Sequence, residues 1–414
     1  MRLFGMAAEK GRWLLIPLGA TVLLCLGTVY SWSIFRKPLE KLLNINATES
    51  LLPFTVLLVF YAILMPITGF YIHRFGSRVV TAVGGVIMGF GYILSSLDGN
   101  LQTLTFTYGV IAGVGVGIAY GVPLVVVAKW FPDKKGIAVG LTVIGFGLSP
   151  LITAPLAKFF LDNYGVRQTF VILGIGFTAI ILAIATLLKT PPQDWKPSGW
   201  NPGVSVQGDK STTSKGRILQ TPVFYGLWLC YSIGTFSGLA AIGISSPLAQ
   251  EIIKLDEATA ATTVSLFAVF NALGRLFFGW LTDRFSPKLA AIVSFTLVLI
   301  ASVMMLKAGE GDVATYLVGF SLFYFAFGGW LAIAPTTTLV LFSPADYAQN
   351  YGLVFTAYGA GALGGTLLAG RVRDIFGSYT AFFYPTTALA ILGIVLAVFM
   401  LKRSFSSSRV SEVN

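Results

Sequence analysis

One arginine stands alone in a long apolar run. Arg275 lies between Thr259 and Thr282, a stretch with no other charged residue, and it is the one ionisable residue well inside such a run anywhere in the sequence. At 1.5 Å per residue, its place eight positions before Asp283 puts it roughly 12 Å from that end of a helix, near mid-depth if the helix crosses a membrane. A charge held there costs at least about 2.5–3.5 kcal/mol on insertion scales, so it requires a partner or a wet cavity. A fixed carboxylate that merely staples helices together is the plainer role for such an arginine, but no Asp or Glu lies mid-run anywhere in the chain. The partner expected instead is an anionic ligand, because a guanidinium is a planar fork matched to a carboxylate. Asn271, four residues earlier on the same helical face, could orient Arg275 or bond the ligand, although its amide cannot take up a proton as an Asp could.

Other side chains could complete a pocket. Tyr120 lies beside Gly109, Gly113, Gly117 and Gly121, a small-residue stripe whose own role is close helix packing. Phe355 and Tyr358 share a helical face, and Tyr30 is a further candidate. Aromatic rings with polar tips suit the walls of a small site that bonds a carboxylate or hydroxyl, with lipid-facing or core packing as the bland alternative for each. His73, the only histidine, closes another apolar run, as either a proton switch or an interfacial gate residue. Asp283 and Arg284 close the run that holds Arg275 and are read as gating residues. Cys25 and Cys230 fall inside apolar runs, so no disulfide framework is implied. No metal centre or cofactor is expected.

The elements that must position these residues are membrane spans. The chain has 414 residues, 55% hydrophobic and 11% charged, where a soluble domain has roughly a quarter charged. Twelve runs are long and apolar enough to span, near 13–35, 51–73, 79–97, 103–128, 136–160, 168–188, 222–248, 259–282, 288–306, 313–342, 351–370 and 379–401, leaving nothing for a soluble domain. The net charge of +11 is a topology signal rather than a nucleic-acid footprint: with both termini cytoplasmic, 18 Lys and Arg lie inside and 9 outside. A multi-pass protein of the inner or plasma membrane is expected, inserted by its first span without a cleaved signal peptide. A polar stretch rich in Pro, Gly, Ser and Lys divides the chain into a six-span lobe over 1–189, a cytoplasmic linker over 190–221 and a second six-span lobe over 222–414. Trp195 and Trp200, in that linker, could rest at the membrane interface.

A short signature recurs at span ends: His73-Arg74-Phe75-Gly76, Asp162-Asn163-Tyr164-Gly165, Asp283-Arg284-Phe285-Ser286 and Asp374-Ile375-Phe376-Gly377, at intervals of 89, 121 and 91 residues. Consecutive copies lie three spans apart within each half and so fall on opposite sides of the membrane, as inverted repeats require. The run Gly140–Gly147 likewise aligns with Val354–Gly361. At the depth of Arg275 the other three units place Met65, Ala154 and Thr366, none of them charged.

The first and third copies, with the preceding Gly69 and Gly279 and the following Arg78 and Lys288, resemble the loop signature of the major facilitator superfamily, with His73 in place of an Asp and Ser286 in place of a Gly. Gly27–Phe35, Lys129–Gly136 and Asn350–Gly359 are similar to the branch that holds oxalate/formate antiporters and monocarboxylate transporters. The resemblance covers essentially the whole chain. It implies an all-α membrane fold of twelve helices in two six-helix lobes, working by alternating access about a central site. Monocarboxylate transporters also place an Arg in helix 8, one turn after an Asp where this chain has Asn271. The oxalate carriers add a lysine in helix 11, where this chain has no cation within its apolar run and Tyr358 occupies the region.

One fixed cation suits one carboxylate, so the expected substrate is a short monocarboxylate such as lactate, pyruvate or formate. Proton-linked symport is what the resemblance implies, the proton site being substrate, water or His73. Anion exchange of the oxalate/formate type is the nearest rival. An intramembrane enzyme lacks converging acids, a histidine pair or a metal cluster. A membrane sensor that binds without carrying could use the same pocket, and binding without flux would reveal it.

Overall fold

The computed structural model describes residues 2–97, 100–192, 195–197, 217–342 and 347–401. Apart from a two-residue-per-strand hairpin at the start, Arg2–Leu3 with Met6–Ala7, the ordered elements are helical. The spans are α1 (Ala8–Leu43), α2 (Ala47–Leu64, tightening through Met65–Ile67 and continuing over Thr68–Phe75), α3 (Ser77–Leu94) and α4 (Leu101–Trp130). A continuous run, Lys135–Ala185, follows; it is two spans, because Gly165 takes φ 74° and ψ 176° in its midst, a left-handed backbone open to a residue without Cβ. These spans are α5 (135–164) and α6 (166–185). The second half holds α7 (Pro222–Ile253), α8 (Glu257–Arg284), α9 (Pro287–Lys307), α10 (Val313–Leu341), α11 (Tyr347–Phe376) and α12 (Thr380–Met400). The twelve spans expected from the sequence are therefore present. Large apolar side chains such as Phe70, Phe90, Phe159, Trp280 and Phe399 stand on the outer surface, as a lipid-facing shell requires.

The signature copies end their helices in related ways. Gly76, Gly165 and Gly377 all have positive φ, whereas Ser286 is extended at φ −168° and its hydroxyl accepts the Leu289 N–H at 3.1 Å. The third copy thus dispenses with a glycine because a serine N-cap starts α9 there. Across the middle, α2 packs on α11 and α5 packs on α8, while α1 meets α7. We call the side bearing the N-terminus the N-terminal face and the other the opposite face.

Three helices run further than their apolar windows and carry charged residues towards their opposite-face ends, away from the mid-span position of Arg275. α1 continues through Arg36, Lys37 and Glu40, α7 reaches Glu251, and α11 reaches Arg371 and Arg373. Arg36 is fully buried. It is tolerated because it is saturated: Nε donates to Ser50 at 2.9 Å, and the terminal nitrogens donate to the carbonyls of Gly243 and Ala47 and to Glu40. The cations of α11 likewise stand at its opposite-face end, where Arg373 pairs with Glu251. Near the N-terminal face Arg12, also buried, is held by both Asp133 oxygens at 2.5 and 2.8 Å and by the Trp130 carbonyl at 3.0 Å. Of the linker's two tryptophans, Trp195 packs on Trp130 with ring centroids 5.0 Å apart, and Trp200 lies outside the described residues.

Candidate functional site

The seam between the lobes closes on Arg275. α8 places Arg275 and Asn271 one turn apart, and Arg275 Nε donates to Asn271 Oδ1 at 3.2 Å. One terminal nitrogen of the guanidinium crosses to the other lobe and donates to the Val143 carbonyl of α5 at 3.0 Å. The other, NH2, is buried with no hydrogen-bond partner, and so is Asn271 Nδ2. Both side chains are buried, Arg275 at 6% exposure. Among the described residues no carboxylate pairs with Arg275, so a full positive charge is held by two neutral oxygens with two donors left over. Unmade hydrogen bonds in a buried place cost about 1–3 kcal/mol each, and more for a charged group.

The aromatic candidates converge on the same seam. Tyr30 of α1 and Tyr358 of α11 share a hydroxyl-to-hydroxyl hydrogen bond of 2.9 Å. Tyr120 lies edge-on to Tyr61 and to Phe146, 5.1 Å from each, and Phe355 stacks on Tyr358 at 5.1 Å. Tyr30 also packs edge-to-face against Phe146 at 5.0 Å and Phe327 at 5.6 Å. Tyr231 of α7 joins the cluster through Phe355, with ring centroids 6.3 Å apart.

Sequence reasoning passed over Tyr61, Phe146, Tyr231, Phe327 and Val143. The half-to-half offset of 210 residues that relates His73 to Asp283 also carries Asn271 onto Tyr61, which would have found that ring. Nothing in the sequence marks Val143, because its contribution is a main-chain carbonyl.

His73, Asp283 and Arg284 lie elsewhere. All three are exposed at the N-terminal face, and none has a hydrogen-bond or ion-pair partner among the described residues. The charged contacts between lobes stand at the opposite face. Lys37 of α1 bonds Glu251 of α7, which Arg373 also holds at 2.5 Å, and Lys158 of α5 reaches Glu257 of α8 at 3.2 Å. Asp374, the fourth signature copy, caps the start of α2 from the other lobe: its oxygens accept the Ala47 and Thr48 N–H groups at 3.0 Å each and the Thr48 hydroxyl at 2.5 Å. With the Asn46–Glu49 capping box, α2 begins with its orphan donors largely satisfied. The opposite face is therefore latched shut.

The arrangement is that of a carrier. The chain is matched by the model of the Major Facilitator Superfamily over residues 18–345 and again over 232–413. It is 30% identical over 395 residues to an oxalate:formate antiporter from Oxalobacter formigenes, covering 95% of this chain and 92% of that protein. It is 24% identical over 326 residues to monocarboxylate transporter 13 of Bos taurus, covering 77% and 72%. Among solved structures, a bacterial homologue of the human lysosomal transporter Spinster, inward-facing and unoccupied, superposes with a TM-score of 0.66 over 95% of both chains at 15% identity. Twelve spans, repeats that invert across the membrane and the family match agree, and the chain belongs to the Major Facilitator Superfamily.

Proposed function

We propose that this protein carries a short monocarboxylate across a cell inner or plasma membrane, both termini cytoplasmic, with Arg275 as the counter-charge for the substrate's carboxylate. The observation that carries the reading is the pair of unpartnered buried donors, Arg275 NH2 and Asn271 Nδ2, on one face of α8. A carboxylate has two oxygens to receive them, and a single guanidinium neutralises a single negative charge. The tyrosine and phenylalanine rings of the same seam suit a small, partly apolar anion such as lactate, pyruvate or formate better than a dianion. Similarity to monocarboxylate transporters supports the same class.

Transport proceeds by alternating access, the two lobes rocking about the seam. Coupling is proton symport. Among the described residues no carboxylate or histidine bonds Arg275 or Asn271, so the proton travels with the substrate or with water rather than on a neighbouring acid. Exchange of two anions is the second reading, favoured by the likeness to the oxalate:formate antiporter.

The test is uptake of labelled lactate into proteoliposomes with and without an inward proton gradient, for the native protein and Arg275→Ala. Gradient-stimulated uptake that disappears in the variant is the expected result. No lactate uptake by well-reconstituted native protein, with flux of oxalate only against formate inside, would replace symport of a monocarboxylate with exchange.

A further inference from the structure

We infer that the empty carrier passes between its access states with the main-chain carbonyl of Val143 standing in for the substrate's carboxylate on Arg275, and that Gly147 is the positioning residue that permits it. The inference rests on the reading that Arg275 receives the anion. In the closed seam the guanidinium is buried, and among the described residues no acid stands beside it and its one bond to the other lobe is the 3.0 Å contact to Val143. Leaving that charge between two closing lobes with no acceptor would be costly, and a carbonyl dipole reduces the cost.

The carbonyl has capacity to spare. In α-helical geometry Val143 O already accepts the N–H of residue 147, but a carbonyl oxygen has a second lone pair. Arg275 can reach it because the adjoining helix surface is bare. A Cβ built on Gly147 would lie 2.7 Å from Asn271 Oδ1 and 3.1 and 3.2 Å from Arg275 Nε and Cζ. These are the ends of flexible side chains, so an added methyl would displace the guanidinium from Val143 without separating the helices.

The consequence concerns the half of the cycle in which no substrate is bound. A carrier that performs net transport must return empty, and then Val143 holds the cation. During exchange the anion holds it in both directions, and Val143 is not needed. Gly147→Ala should therefore slow net movement far more than exchange.

Two measurements decide the matter. In proteoliposomes loaded with labelled lactate, efflux into lactate-free buffer is compared with efflux into lactate. Loss of one charge-assisted hydrogen bond predicts that the ratio of net efflux to exchange falls about tenfold in Gly147→Ala. A ratio unchanged from native overturns the inference, whether both fluxes persist or both fall together. Independently of any substrate, spin labels are placed at Ile137→Cys on α5 and Trp280→Cys on α8, both exposed. In anion-free native protein they should report a short-distance population that Gly147→Ala diminishes; an unaltered distribution overturns the inference. Native protein that moves no lactate in either mode counts against the proposed function, while the distance measurement still decides this point.

Discussion

Among the described residues, Arg275 carries its charge into the seam on dipoles alone: an amide oxygen from Asn271 and a carbonyl from Val143. Placing an acid beside it should convert the site. In Asn271→Asp the new carboxylate would neutralise Arg275, so lactate uptake at neutral pH should fall at least about tenfold, the loss of one charge-assisted interaction. Because protonation removes the competing charge, uptake should recover as pH falls, which a pH series of initial rates would show. Uptake that stays high and flat with pH would mean that Arg275 is not the anion's partner. At this scale the sequence was highly informative for charges and poor for surroundings. A lone arginine in an apolar run is visible by inspection. That Tyr61 and Phe146 join Tyr30, Tyr120 and Tyr358 in one aromatic cluster is not, since most aromatics in such runs face lipid or fill the core.

The helix ends behave as latches, and they illustrate how one motif serves two faces. Asp374 satisfies the first donors of α2 across the lobe boundary, at about 0.5–2 kcal/mol for a cap of this kind. Asp374→Asn should therefore raise the population open at the opposite face by roughly fivefold for each kcal/mol lost. A cysteine at Ser246, buried and lining a small cavity with Lys37, Lys158 and Glu257, would report it as faster labelling by a membrane-impermeant thiol reagent. No change in that rate would reduce Asp374 to a local cap. The four signature copies were legible from spacing alone. Which copies are engaged depends on the state of the lobes: here the fourth bonds across the seam, while His73 and Asp283 stand free of partners among the described residues.

For the molecule as a whole, stability and conformational state are set by how buried charges are paired. The Arg12 guanidinium hydrogen-bonded to Asp133 holds that carboxyl, in the loop between α4 and α5, below its ordinary value. A carboxyl whose folded pKa is depressed contributes stability that is full above its unfolded pKa and is lost as pH falls through the folded one. Asp133→Ala should then lower thermal stability at pH 7 by about 1–3 kcal/mol, with the difference from native shrinking as the medium is acidified below the usual carboxylate range. Equal losses at pH 7 and in acid would show that the effect is packing and not charge.

The amino-acid sequence by itself determined the twelve spans, the inverted repeats and the isolation of Arg275. Each follows from local composition or spacing: a bilayer demands about 20 apolar residues per span, and repeated units leave repeated signatures. Only the tertiary structure decided that Arg36 is buried and saturated at the far end of α1, that the latched face is the one holding Glu251 and Asp374, and that Val143 meets Arg275. The physical reason is that most of these contacts depend on main-chain atoms or on pairs more than a hundred residues apart, such as Lys37 with Glu251 and Val143 with Arg275. Hydropathy records what a segment can bury, whereas the partner that makes a charge tolerable is chosen when the two lobes come together.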